Sequence, residues 1–200
     1  MPKIIPRKFG TILVDPPWPY QKVKGPKSGG YSVEQYPSLG MGDLEKLPIG
    51  KMADYLFLWS TSVFLAEGKA SRLVRRWGFC PITCLYWVKG RGFQPTNESP
   101  FSFKPEYGVG YWFRGCVEPI LLAKKQTVPS IRTHWLGLIC PSAGHSRKPT
   151  SIHNVIESVF PGPFCEVFAR KKRTSWSVFG NEAPGDGRDV RESLARWDSV

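Results

Sequence analysis

Six short apolar runs, each bounded by glycine, proline or a polar residue, constrain this 200-residue chain more than any other feature. They are Thr11–Val14, Tyr55–Ser60, Cys84–Lys89, Glu118–Lys125, Phe164–Arg170 and Trp176–Gly180. Short runs of this kind, rich in β-branched and aromatic residues, read as buried strands. Helical spacing appears between them. Gly42–Leu47 predicts a short helix with Asp43 near its start. Val63–Trp77 predicts a longer helix, stopped at Gly78 as a C-terminal cap. Pro149 suits a first helical position, and the residues from Thr150 continue at helical period up to Pro161. Strands alternating with helices and long loops predict an α/β fold with a mostly parallel sheet. In such sheets ligands sit beyond the carboxyl ends of the strands, where strand order reverses. Asp15, Ser60, Lys89 and Arg170 each stand at such an end.

The length suits one domain, expected over residues 1–182, followed by a polar, flexible tail over residues 183–200. That tail carries Asp186, Asp189, Glu192 and Asp198 against Arg188, Arg191 and Arg196, so it adds no positive charge. The net charge of +12 therefore belongs to the body, and a polyanion is the first candidate partner. The five cysteines are odd in number and form no CxxC pair, which argues for a reducing compartment rather than a disulfide framework. His134, His145 and His153 make no metal-ligand spacing with them, so no metal is expected. No apolar stretch reaches membrane-spanning length and the N-terminus lacks a signal-peptide core. The expectation is an intracellular, cytoplasmic protein.

The first strand runs straight into "DPPWPY", residues 15–20. Pro16 and Pro17 fix φ and donate no hydrogen bond, so the exit from the strand is rigid. The Asp15 carboxylate and the Pro16 carbonyl form an acceptor pair whose natural guest is an amino group. Trp18 is expected to offer a face to a flat ring. Together the four residues predict a receptor for a planar ring bearing NH2.

With those residues in view, the chain resembles the amino-methyltransferases with a DPPW motif. The branch is the one containing the catalytic subunit of the messenger-RNA adenosine methyltransferase and small bacterial and phage adenine methyltransferases. The resemblance covers residues 11–182 and rests on "DPPW" at 15–18, "YPSLGMGDLEKLPI" at 36–49, "LYWVKG" at 85–90, "GYWFRGCVEPILL" at 110–122, "HSRKP" at 145–149 and "FCEVFARKKRTSWSVFGNE" at 164–182. It implies a Rossmann-like class I methyltransferase fold with permuted motif order, the catalytic motif preceding the cofactor motif. It further implies S-adenosylmethionine as methyl donor and the 6-amino group of adenine as acceptor. No GxGxxG occurs near "FARKK", so the cofactor rests on the resemblance and not on a glycine loop.

The resemblance assigns Asp15, Pro16, Pro17 and Trp18 to catalysis. Lys148, just before a helix start, suits an anion and is assigned to the methionine part of the cofactor. Asn181 and Glu182 follow the last strand and are assigned to ribose, with a helix cap or loop turn as the alternative. Glu166 and Arg170, four apart on one strand, share a face and are expected to pair at the cofactor's border; Asp15 is expected to touch it too. Glu118, inside an apolar strand, is assigned to structure. On the substrate side stand Trp18, Tyr20, the loop lysines Lys22, Lys24 and Lys27, Tyr36 as a second stacking face, and His145, which orders its loop or touches phosphate. Arg72, Arg75 and Arg76 read either as phosphate ligands or as a solvated helix face. Loops 91–114 and 126–147 are the expected readers of sequence context. No residue separates DNA from RNA. The small basic form resembles the phage and bacterial members, which implies DNA. RNA, an inactive nucleic-acid-binding partner subunit, or a homodimer stay open.

Overall fold

In the sequence FGTILV the residues point alternately to opposite sides, and both sides are buried. This strand, β1 (Phe9–Val14), pairs in parallel with β2 (Ala53–Trp59) on one flank and with β7 (Phe164–Val167) on the other. The computed structural model describes residues 5–19, 38–94, 102–107, 115–132, 137–142, 144, 147–183 and 189–199. Among them, one eight-stranded sheet is completed by β3 (Cys80–Gln94), β4 (Ser102–Pro105), β5 (Val117–Lys124), β6 (Gly137–Cys140) and β8 (Trp176–Phe179). The order is β4-β3-β5-β2-β1-β7-β8, with β6 also pairing with β3. The α/β expectation holds, and the fold is Rossmann-like. The sheet is mixed rather than mostly parallel, because β5 runs against both β2 and β3. Parallel neighbours need a long crossover, usually a helix, and none lies between β3 and β5 among the described residues.

Helices cover both faces. α1 (Met41–Glu45), α2 (Ile49–Met52), α3 (Ser62–Ala66) and α4 (Lys69–Arg76) pack on the face that carries Ile12, Val14, Leu56 and Leu58. α5 (Ser151–Val159) packs on the opposite face, against Leu13, Phe57, Trp59 and Ile120. Two strands lay inside expected loops: β4 within residues 91–114 and β6 within 126–147. The single helix expected over 63–77 is two, because Gly68 adopts φ +69 between α3 and α4. Its predicted end is correct. Gly78 has φ +76, its N–H bonds to Arg75 O at 2.9 Å and that of Phe79 to Val74 O at 3.1 Å, the paired closure that glycine permits.

The C-terminal tail is the larger correction. Residues 190–199 form α6 (Val190–Ser199), docked on the α1–α4 face. Its buried stripe is Val190 and Leu194, and Trp197 stacks on Phe9 at 6.3 Å while its Nε1 donates to Pro6 O at 2.9 Å. Burial of even one such aliphatic side chain contributes about 1.5–3 kcal/mol. A polar composition concealed this apolar stripe at helical spacing.

Candidate functional site

Strand parity decides which charges can meet. Asp15 follows Leu13 by two positions, Lys89 follows Trp87 and Leu85, and Glu118 precedes Ile120, so all three extend the face covered by α5. Strand direction then brings them together: Asp15 just past the carboxyl end of β1, Lys89 within the long β3, which continues to Gln94, and Glu118 at the amino end of the antiparallel β5. Lys148, just before α5, enters from above. Its Nζ lies 3.1 Å from Asp15 Oδ1 and 3.4 Å from Glu118 Oε2. The other Glu118 oxygen takes the Lys89 ammonium. Two cations and two carboxylates thus alternate in a chain, each side chain only about a fifth exposed (18–22%). Indole rings form the floor. Lys148 Nζ lies 5.4 Å from the Trp59 ring centre and Lys89 Nζ 4.9 Å from that of Trp87.

Burial and pairing oppose each other here. Burial pushes the Asp15 carboxyl above its ordinary value, only partly offset by Lys148. Burial works against charge on Lys148 as well, but Asp15 and Glu118 outweigh it and hold the ammonium above its usual range. Burial would raise Glu118 too, yet Lys148 and Lys89 bring it below the usual carboxylate range. Lys148 is therefore a firm cation, and Asp15 is the most basic of the carboxylates in this network.

The predicted residues divide into two groups. Asp15 and Lys148 meet, and Arg170 lies close enough for its charge to act on Asp15. The Pro16 carbonyl accepts the N–H of Trp18 at 2.9 Å, and its second lone pair faces no other described donor. The Pro17 carbonyl accepts the N–H of Leu39 at 2.9 Å, which ties down the returning chain. Trp18 is not an open plate. It is 5% exposed on the α1–α4 face, stacked on Phe64 at 4.9 Å, with its Nε1 donating to Trp59 O at 3.0 Å. A buried indole must satisfy its N–H, and this bond fastens the Asp15 turn to the end of β2. Tyr20, Lys22, Lys24, Lys27, Tyr36 and His145 lie outside the described residues. Arg75 and Arg76 end α4 near the start of β3, the sheet edge opposite Asp15.

The expected Glu166–Arg170 pair is not among the ion pairs seen between the described residues. β7 stops at Val167 and Phe168 turns to φ +64, so the alternation that would have aligned the two is broken. Glu166 instead meets His153 Nε2 of α5 at 2.9 Å, and Arg170 Nε meets Glu182 Oε1 at 3.4 Å. Asn181 turns to α6: its Oδ1 accepts the Val190 N–H at 2.8 Å and its Nδ2 donates to Asp189 Oδ2 at 3.4 Å. Gly180 permits this loop to lie against β7's exit, since a Cβ there would stand 2.2 Å from Ala169 O. Glu118 is the residue of this charged chain that the sequence reading left in the scaffold, and Lys89 is one that it placed at a strand end without a role. The available signal was parity: a glutamate two residues before a core isoleucine must face the core side at the sheet's edge.

Tested against S-adenosylmethionine, the donor set fits. Lys148 is a largely buried ammonium within 3.4 Å of two carboxylates, and an ammonium has a third proton for an anionic guest. Glu182, 3.4 Å from Arg170 Nε, presents a half-exposed carboxylate after the last strand that has the acceptor chemistry to hold a ribose diol.

The MT-A70 family profile matches residues 9–182, which hold all eight strands. Over 193 residues the chain is 28% identical to the N(6)-adenine-specific methyltransferase METTL4 of Mus musculus, covering 88% of this chain and 38% of that protein. It is 26% identical over 187 residues to the N6-methyladenosine RNA methyltransferase MTA1 of Pyricularia oryzae, covering 87% and 46%. It is also 29% identical over 128 residues to the N6-adenosine-methyltransferase non-catalytic subunit MTB of Arabidopsis thaliana, covering 64% and 15%. The chain spans less than half the length of each of these relatives. With every strand and the Asp15 edge inside the matched span, this chain belongs to the MT-A70 family.

Proposed function

We propose that this protein methylates the 6-amino group of adenine in DNA, with S-adenosylmethionine as the donor. One observation carries the reading: the Asp15 carboxylate, next to the Pro16 carbonyl, is held by Lys148 at the carboxyl edge of the sheet. The exocyclic nitrogen of adenine is a weak nucleophile because its lone pair is shared with the ring. Hydrogen bonds from its NH2 to Asp15 and to the Pro16 carbonyl localise that lone pair. The Asp15 charge also stabilises the positive charge that grows on nitrogen, in a site where water is largely replaced by protein. The cofactor supplies an electrophilic methyl group on a cationic sulfur. Lys148 and Glu182 bind its carboxylate and ribose, Arg170 positions Glu182, and Glu118 with Lys89 keeps Lys148 charged and aimed. Fixed orientation contributes several kcal/mol more, on the order of that gained in intramolecular reactions.

The +12 charge supports a nucleic-acid substrate, and Lys22, Lys24, Tyr36 and His145 are its proposed contacts with Tyr20 beside them. The base must leave a duplex or come from a single strand, because pairing hides the amino group. RNA is the second reading, favoured by the name of the Pyricularia relative. Incubation of the purified protein with methyl-labelled donor and unmodified DNA or RNA, followed by nucleoside analysis, separates them. Label in N6-methyldeoxyadenosine supports the DNA reading and label in N6-methyladenosine the RNA reading. Absence of label from both, in a folded protein, refutes the enzyme.

A further inference from the structure

Lys148 reaches the site at the end of the exit from β6, and that exit is fastened from outside itself. Pro141 follows β6 and has no N–H to give. The Ser142 N–H donates to Glu106 Oε2 at 2.7 Å. The other bonds are local: Ser142 Oγ donates to Gly144 O at 2.9 Å, and the Arg147 N–H donates to the same carbonyl at 3.3 Å. Among the described residues between β6 and Lys148, the Ser142 N–H thus makes the bond that reaches another element. Glu106 is fixed at its own end. It follows β4 directly, and its N–H donates to Lys89 O at 2.9 Å. Its carboxylate divides its oxygens, with Oε1 accepting Arg91 Nε at 3.2 Å. The bond to Ser142 has the length of a charge-assisted one. It does more than Arg91 to hold the Glu106 carboxyl below its ordinary value. Arg91 is 78% exposed, so its pair competes with water. The segments 91–114 and 126–147, separate loops in the sequence reading, therefore meet at one carboxylate.

We propose that Glu106 is a positioning residue that staples the exit of β6 to the β3–β4 arm and thereby fixes Lys148 against Asp15 for the cofactor. The inference rests on the cofactor reading above and goes beyond it. Glu106 acts through Lys148 and not by contact with the reacting groups. Pro149 and α5 hold the chain on the far side of Lys148, and the staple holds it on the near side. Without the staple the near side is anchored only at the end of β6, and the ammonium loses its fixed distance from Asp15. The arm expected to meet nucleic acid and the cation expected to meet the cofactor are then parts of one hydrogen-bonded unit, joined through Lys89 and Ser142.

Asp15 itself reports where Lys148 stands. The charges that act on it are Lys148 and Arg170, which lower its pKa, and Glu118, which raises it. Displacement of Lys148 therefore moves the Asp15 titration to higher pH, whereas mere removal of a negative charge moves it, if at all, to lower pH. The Asp15 carboxyl carbon is titrated by NMR in the full chain without ligand, and binding of S-adenosylhomocysteine is measured by calorimetry. Wild type, Glu106→Ala, Glu106→Gln and Glu192→Gln are compared, the last removing an exposed glutamate of α6. Expected for Glu106→Ala is an upward shift of the Asp15 titration and binding weakened about three- to tenfold, the scale of one hydrogen bond. Glu106→Gln should lose less in both readouts, since its amide oxygen can still accept the Ser142 N–H. Glu192→Gln should leave both as in wild type. An absent or downward shift in Glu106→Ala overturns the proposal, as does a Glu106→Gln as impaired as Glu106→Ala or a like shift in Glu192→Gln. An upward shift with wild-type affinity removes Glu106 from cofactor placement and overturns it equally. If wild type itself fails to bind, the cofactor reading falls, and the Asp15 titration alone decides the staple.

Discussion

The two edges of the sheet both carry lysines, and they use them differently. At the amino edge each cation has its own partner. Lys8 meets Asp54 at 2.8 Å and Lys51 meets Asp198 at 2.9 Å, with the lysines 62% and 70% exposed. Lys125 donates to the carbonyls of Trp77 and Gly78 at the end of α4 and lies 4.0 Å from the Phe79 ring centre. At the carboxyl edge Lys89 and Lys148 share Glu118, and Lys148 shares Asp15, all in partial burial. An exposed pair can lose a member to water at little cost. In the buried chain the cost depends on what remains, and removal of a charge that leaves a neighbour with no other partner is expensive. The amino edge fastens helices, and the carboxyl edge holds a carboxylate in a defined state.

The strongest way to break this comparison is Asp15→Asn. Asparagine keeps the shape and one acceptor oxygen, but its NH2 can face the incoming amino group and its charge is gone. Removal of one electrostatic contribution of this kind typically costs about 100-fold or more in rate. Single-turnover methyl transfer at saturating donor should show that fall, with melting little changed, because Lys148 keeps Glu118. A near wild-type rate would reduce the turn after β1 to scaffold.

The next effect lies in pH dependence. On the proposed mechanism activity requires ionised Asp15, so it falls as pH drops through the Asp15 pKa, which burial has already raised. Lys148 lowers that pKa and Glu118 raises it. Lys148→Met should therefore move the acid limb of the rate profile to higher pH. Glu118→Gln should move it to lower pH, by removing a repelling charge. Opposite shifts sharpen the picture of a shared network. Shifts of the same sign would mean that the four charges do not act as the distances suggest.

Much of this edge was legible in the sequence because apolar runs announce strands and strand ends announce ligand sites. The six expected strands and the Asp15 turn are all present, and β1 and β7 are neighbours, which brings Arg170 toward Asp15. What stayed hidden depends on contacts distant in the chain. β5's direction follows from pairing with both β2 and β3, and only that direction brings Glu118 to Lys148. Phe168 at φ +64 is a conformation that no residue type there foretells, and it redirects Arg170 from Glu166 to Glu182. Trp18 reads as a platform or as core with equal ease until the partner of its N–H is known. α6 was missed because Val190, Leu194 and Trp197 are thin among charges, and their value appears only against Phe9 and the α1–α4 layer.

The smallest effect is expected at Lys8, and its smallness is what gives it meaning. Lys8→Ala removes the 2.8 Å pair with Asp54, leaving a carboxylate whose side chain keeps more than a quarter of its surface in solvent. Water can replace the ammonium there, so no buried charge is stranded. Exposed pairs of this geometry contribute about 0–1 kcal/mol, and less as salt rises. Chemical unfolding should place Lys8→Ala within that range of wild type. Cofactor binding and methyl-transfer rate should be unchanged, since the full length of β1 separates Lys8 from Asp15. Lys148→Met measured beside it should destabilise more, because it leaves both Asp15 and Glu118 short of a partner. Equal costs for the two lysines would show that burial at the carboxyl edge does not distinguish its charges from those at the other end, and the contrast between the edges would fail.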